Sequence, residues 1–186
     1  ADLSRVPAAG MLPAYARDID VRAVQQIVEE ARTRFGQELG TSLGLPITVA
    51  QESWPLAPFT GAEARGVFDP TGHYYTACQI VINSEFRQAA DPAIATADLR
   101  SAVSHEVFHC FQYQILGTST RYDQLPMWLK EGSAAWAGEY FSGGSSIPNA
   151  RWWPQWLNVS GQQLWHRSYD AFGFFWTLHD LGVPIM

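Results

Sequence analysis

Apolar positions recur at helical spacing over residues 21–38. Val21, Val24, Ile27, Val28, Ala31 and Phe35 form one stripe, with Glu29, Glu30 and Arg32 on the other side. The spacing predicts an amphipathic helix lying on an apolar bed, with Asp20 as its cap. Before it, residues 1–19 hold Pro7, Gly10 and Pro13 and read as an extended lead-in. After it the pattern turns to strands. Pro46 to Ala50 is β-branched and short, and Trp54 to Phe59 is a Pro-broken loop. Gly66-Val67-Phe68, Asp69 to Gly72 and His73-Tyr74-Tyr75 read as strand, turn and strand. Cys78 to Asn83 is the clearest strand of all.

Helical patterning returns after the Asp91-Pro92 loop. A helix is expected over 96–116, capped by Thr96, with Asp98 in its first turn and Gly117 as its end. Leu99, Val103, Val107, Cys110 and Phe111 make its apolar stripe, and His105 and His109 fall on a different face. A second helix is expected over 126–141, opened by Pro126 and closed by Gly143-Gly144. Ala134, Ala135 and Gly138 on its Glu131 face allow another helix to come close. Residues 142–167 read as a loop whose Trp152, Trp153, Trp156 and Trp165 form a satellite core. A last helix follows Ser168, its expected cap, to Leu181, with Gly182 and Pro184 as stops. Strands first and helices after, without regular alternation, predict an α+β domain spanning 1–186. Its upper lobe is expected over 1–117 and its lower, helical lobe over 118–186.

Composition narrows this picture only a little. The 186 residues are 47% apolar and 16% charged, a globular balance with enough chain for one core. A net charge of −6 argues against nucleic acid or an anionic membrane as partner, and no apolar run spans a bilayer. No signal peptide is visible, the start at Ala1 fits a mature or trimmed form, and Ile185-Met186 reads as a cut end. Cys78 and Cys110 fit either one disulfide or two buried thiols; export, and so a secreted or extracytoplasmic location, would favour the disulfide.

The chemistry concentrates at Ser104-His105-Glu106-Val107-Phe108-His109-Cys110. On a helix His105 and His109 lie one turn apart, where one ion can take both imidazoles, and Glu106 flanks them. Catalytic zinc takes three protein ligands and leaves a position for water. Glu131 would complete a set with His105 and His109, and Glu106 would act as general base. The oxyanion of a hydrolysed carbonyl needs a further donor, for which Tyr169 and His166 are the candidates. Glu139 and Asp123 are candidate acceptors behind a metal ligand.

At these residues the chain resembles the gluzincin metallopeptidases, the group that includes thermolysin-like enzymes and zinc aminopeptidases. The likeness lies in His105-Glu106-Val107-Phe108-His109 followed by Trp128-Leu129-Lys130-Glu131-Gly132-Ser133-Ala134. A weaker likeness is Tyr169-Asp170-Ala171-Phe172-Gly173, beside a Tyr-Glu-x-Gly stretch of the aminopeptidases whose Tyr stabilises the transition state. The resemblance implies a zincin fold, with a twisted mixed sheet, an active-site helix and a glutamate helix. It also implies Zn2+ as cofactor and a peptide or protein substrate, with Cys78 to Asn83 as the edge strand bordering the cleft. The Gly-x-Met-Glu-Asn stretch of the aminopeptidases is absent, so cleavage of internal bonds is expected. Ala135 stands where thermolysin-like enzymes often carry an acidic residue. The alternative is a protein that keeps the fold for binding or scaffolding and has little activity.

Overall fold

The computed structural model describes residues 15–16, 19–54, 61–84, 87–88, 92–143 and 146–185. In chain order the elements are β1 (Tyr15–Ala16), α1 (Val21–Glu38), β2 (Ile47–Glu52), β3 (Ala62–Phe68), β4 (Tyr75–Asn83) and β5 (Arg87–Gln88). Then follow α2 (Pro92–Leu116), α3 (Ser119–Asp123), α4 (Met127–Ser142), α5 (Ile147–Asn158) and α6 (Phe172–Asp180), with 3-10 turns at Leu164–His166 and Tyr169–Ala171. The class is α+β.

The main sheet has the order β2-β4-β3, with β2 parallel and β3 antiparallel to β4. A second, two-stranded pairing joins β1, which lies inside what reads as lead-in, to β5. β4 is thus the central strand and not the edge expected for Cys78 to Asn83. The reason is visible in its composition. Cys78, Ile80, Val81 and Ile82 are all buried, on both faces of the strand, as a run flanked by neighbours on each side requires. The strand beside the site is β3.

Helix α1 begins where Asp20 accepts from Arg22 N–H at 2.9 Å, and Val24, Ile27, Val28, Ala31 and Phe35 enter the core. Helix α2 starts earlier than expected, at Pro92. Pro suits a first turn, and Thr96 sits inside the helix, its hydroxyl donating back to Pro92 O at 2.8 Å. Asp98 is consequently past the first turn and buried. Val103, Val107, Cys110 and Phe111 are fully buried against the sheet and α1. A disulfide joins Cys78 of β4 to Cys110 of α2, which resolves the cysteine question.

Helix α4 crosses α2 closely, as its small face predicts. A Cβ on Gly138 would meet Ser101 O at 2.6 Å and His105 Cβ at 3.3 Å. On another side of α4, a Cβ on Gly132 would meet Ala171 Cβ at 2.7 Å. These two glycines let α4 touch both α2 and the turn that carries Tyr169. The expected loop over 142–167 instead contains α5, which holds Pro154 inside it. Trp152, Trp153 and Trp156 of α5 pack on the core, whereas Trp165 is exposed. Ser168 makes no side-chain cap. The chain enters α6 through the 3-10 turn. Most of the loop expected over Trp54 to Phe59 and the Asp91 position lie outside the described residues.

Candidate metal centre

Two helices deliver the central cluster. His105 and His109 are one turn apart on α2, and Glu131 comes from α4. The Nε2 atoms of the two histidines are 3.0 Å apart, and Glu131 Oε2 lies 3.3 Å from His105 Nε2 and 3.5 Å from His109 Nε2. A tetrahedral ion with N and O ligands at about 2.0–2.2 Å sets neighbouring ligand atoms about 3.3–3.6 Å apart. The two distances from Glu131 match that spacing, and the two histidine nitrogens stand slightly closer. Glu131 Oε2 is buried and makes no well-directed hydrogen bond of its own. A buried oxygen without such a bond is costly, and an ion between the three atoms removes that cost. The donor set suits a divalent metal, and among the described residues this is the one group of three ligating side chains.

The electrostatics follow from burial and charge together. Burial alone would raise the Glu131 carboxyl, but the two imidazoles outweigh it and hold the group well below the ordinary carboxylate range. For His109 burial works to lower the pKa, yet Glu131 and Glu106 prevail and raise it. Glu106 is buried and is not one of the three corners. Burial raises its pKa against the opposing pull of the histidines, and its Oε2 accepts from Ala64 N–H of β3 at 2.7 Å. Ala64 O in turn accepts from Tyr113 OH at 2.8 Å. Strand β3 is thereby fastened to the site face of α2 at one residue.

Tyr169 reaches the cluster from the 3-10 turn. Its ring is stacked on His105 at 5.6 Å and on Trp152 of α5 at 5.3 Å, so it is held between them. Burial raises its pKa, and the Glu131 and Glu106 charges add to that, so the hydroxyl stays a proton donor. His166 is not brought to this place. Its ring lies against its neighbour Trp165 at 6.3 Å, and it is exposed.

Neither acceptor expected behind the ligands is used. Glu139 instead accepts from Ser101 and Ser146 hydroxyls, each at 2.6 Å, away from the cluster. Asp123 meets no ligand. In their place Gln112 Oε1 lies 2.8 Å from His109 Nδ1, and Tyr122 OH lies 3.1 Å from the same atom. Gln112 follows His109 by three positions, which on a helix is the same face. That spacing was the available signal for it. Tyr122 carried no such signal, because only the fold of α3 brings it back.

No protein-family model, no curated protein and no solved structure matches the chain.

Proposed function

We propose that this chain is a zinc-dependent peptidase of gluzincin type, acting on peptide or protein substrates. The observation that carries the reading is the division of labour at the cluster. Three ligand atoms stand near tetrahedral spacing, and a fourth buried side chain, the carboxyl of Glu106, is held apart from them by Ala64. A binding site for an ion needs the first three and has no use for the fourth.

Zinc bound there would supply Lewis acidity, lowering the pKa of water toward about 7 and polarising the scissile carbonyl. Glu106 takes the proton from the attacking water and returns it to the leaving amine. Burial raises its pKa, which favours a group that must both accept and give a proton. Tyr169, clamped between His105 and Trp152, offers its hydroxyl to the developing oxyanion. An extended substrate would run along β3. There the outward backbone groups of Ala64 are already engaged, while those of Ala62 and Gly66 face away from β4 in the same phase of the ladder. The zincin architecture is part of this proposal. So is a location outside the reducing cytoplasm, for which the Cys78–Cys110 bond is the support.

The test is a peptide-library digest by the native protein and by Glu106→Gln, with zinc content measured in both. Cleavage by the native protein alone, with zinc in both, supports the reading. Zinc in both with cleavage by neither would leave a binding or scaffold protein.

A further inference from the structure

We infer that Gln112 is a positioning residue that fixes the tautomer of His109 and fastens the helix bearing Glu131 to it. The inference deepens the metal-centre reading and rests on it for its functional meaning. Gln112 is 4% exposed and lies on α2.

The argument is one of proton counting. Gln112 Nε2 lies 3.0 Å from Lys130 O and 3.1 Å from Ser133 Oγ, both on α4. A backbone carbonyl can only accept, so the amide nitrogen must face it. Ser133 Oγ gives its own proton to Leu129 O, and so it too accepts from Gln112. Both amide protons are thus spent on α4, and the orientation of the amide is fixed. Its Oε1 then faces His109 Nδ1 at 2.8 Å, and an oxygen with no proton can only accept. His109 must therefore carry its proton on Nδ1. When the ring is neutral, its Nε2 lone pair is directed at His105 and Glu131.

Tyr122 is compatible with this assignment, since a phenolic hydroxyl can either donate or accept. Its hydroxyl is 3.1 Å from Nδ1, and against a protonated nitrogen it can only accept. The same amide touches Lys130 and Ser133, the residues on either side of the Glu131-Gly132 pair. One side chain thereby orients a ligand from α2 and holds in place the segment of α4 that presents the ligand Glu131. Groups behind a ligating histidine typically change metal affinity by about 10- to 100-fold when lost.

Two substitutions separate positioning from packing. Gln112→Met keeps the volume and removes both hydrogen-bonding functions; Gln112→Glu keeps an acceptor facing Nδ1. The first readout is the tautomer of His109 by nitrogen NMR in zinc-free protein, at a pH alkaline enough to leave the ring neutral. The second is zinc affinity by competition with a chromogenic chelator. We expect Nδ1–H in the native protein and in Gln112→Glu, and a mixed or reversed tautomer in Gln112→Met. We expect zinc affinity about 10- to 100-fold weaker in Gln112→Met, with only partial recovery in Gln112→Glu, whose carboxylate restores the acceptor at Nδ1 but not the two donors to α4. A Gln112→Met protein that keeps the Nδ1–H form overturns the inference, as does equal behaviour of the two variants. The tautomer is read without metal. A chain that never takes zinc but shows this pattern upholds the role of Gln112 and sinks the metal centre alone.

Discussion

The Nε2 atoms of His105 and His109 face one another at 3.0 Å, with Glu131 Oε2 within 3.5 Å of both. Two imidazole nitrogens at that distance share at most one proton. The folded chain thus gathers three electron-pair donors around one point, which costs free energy unless a cation or protons fill it.

Zinc should therefore bind and stabilise. One ion per chain is expected by native mass spectrometry, and His105→Ala, His109→Ala or Glu131→Ala should each abolish stoichiometric loading. Free zinc at about a hundredfold over Kd adds about 2.7 kcal/mol to unfolding stability, so chelation should lower the melting temperature of the native protein. Identical melting with and without zinc would contradict the site.

Glu106→Gln should keep zinc and lose hydrolysis by about 100- to 10,000-fold. The amide retains an oxygen to accept from Ala64 N–H, so β3 stays in place. Native-like turnover by this variant would remove Glu106 from the mechanism.

Tyr169→Phe should lower kcat by about 100- to 1,000-fold, or about 2.7–4 kcal/mol, with KM and zinc content little changed. The ring stays stacked between His105 and Trp152, so only the hydroxyl is tested. His166→Ala should be nearly as active as the native protein, because the exposed ring lies against Trp165. The reverse pattern would assign the donor to His166.

Glu139 predicts a pH dependence of stability. Burial raises its pKa from 4.5 to about 7, the Ser101 and Ser146 hydroxyls opposing and Asp98 adding to the rise. The folded state therefore resists ionising a group that the unfolded chain ionises freely. Below 4.5 the group costs nothing; as pH rises from 4.5 to about 7 its penalty grows, reaching a plateau above. The full penalty is about 3 kcal/mol. Glu139→Gln should remove it, and the gain should appear in urea unfolding at pH values above about 7 and vanish at acid pH. A variant equally destabilised at every pH would refute this.

The site was more legible than the fold around it. His105, Glu106 and His109 are placed by helical spacing, whereas Glu131 was marked by its Trp128-Leu129-Lys130-Glu131-Gly132 setting, with small residues that let α4 approach. The edge strand was legible only at its end, Gly66-Val67-Phe68. β3 shows Ala62, Ala64 and Gly66 on one face and Glu63 and Arg65 on the other, a pattern without β-branched residues until Val67. Its neighbour β4 has the stronger signal because it is buried on both sides. Helix α5 was hidden by Pro154, which lacks the N–H that an interior helical position uses. Gln112 looked like any polar helix residue; its importance depends on Lys130 O, a group that no side-chain pattern records.

The Cys78–Cys110 bond has a kinetic consequence. Both residues are fully buried, and Cys110 immediately follows His109. A dissolved thiol must wait until the sheet and α2 part before it can attack either sulfur. Cross-linking across a separation of 32 residues contributes about 3–4 kcal/mol by loop entropy, so each severed molecule tends to stay open. In excess reductant the slow disappearance of the bond would count openings of the core one by one, and the histidine next to it would lose its footing at the same moment.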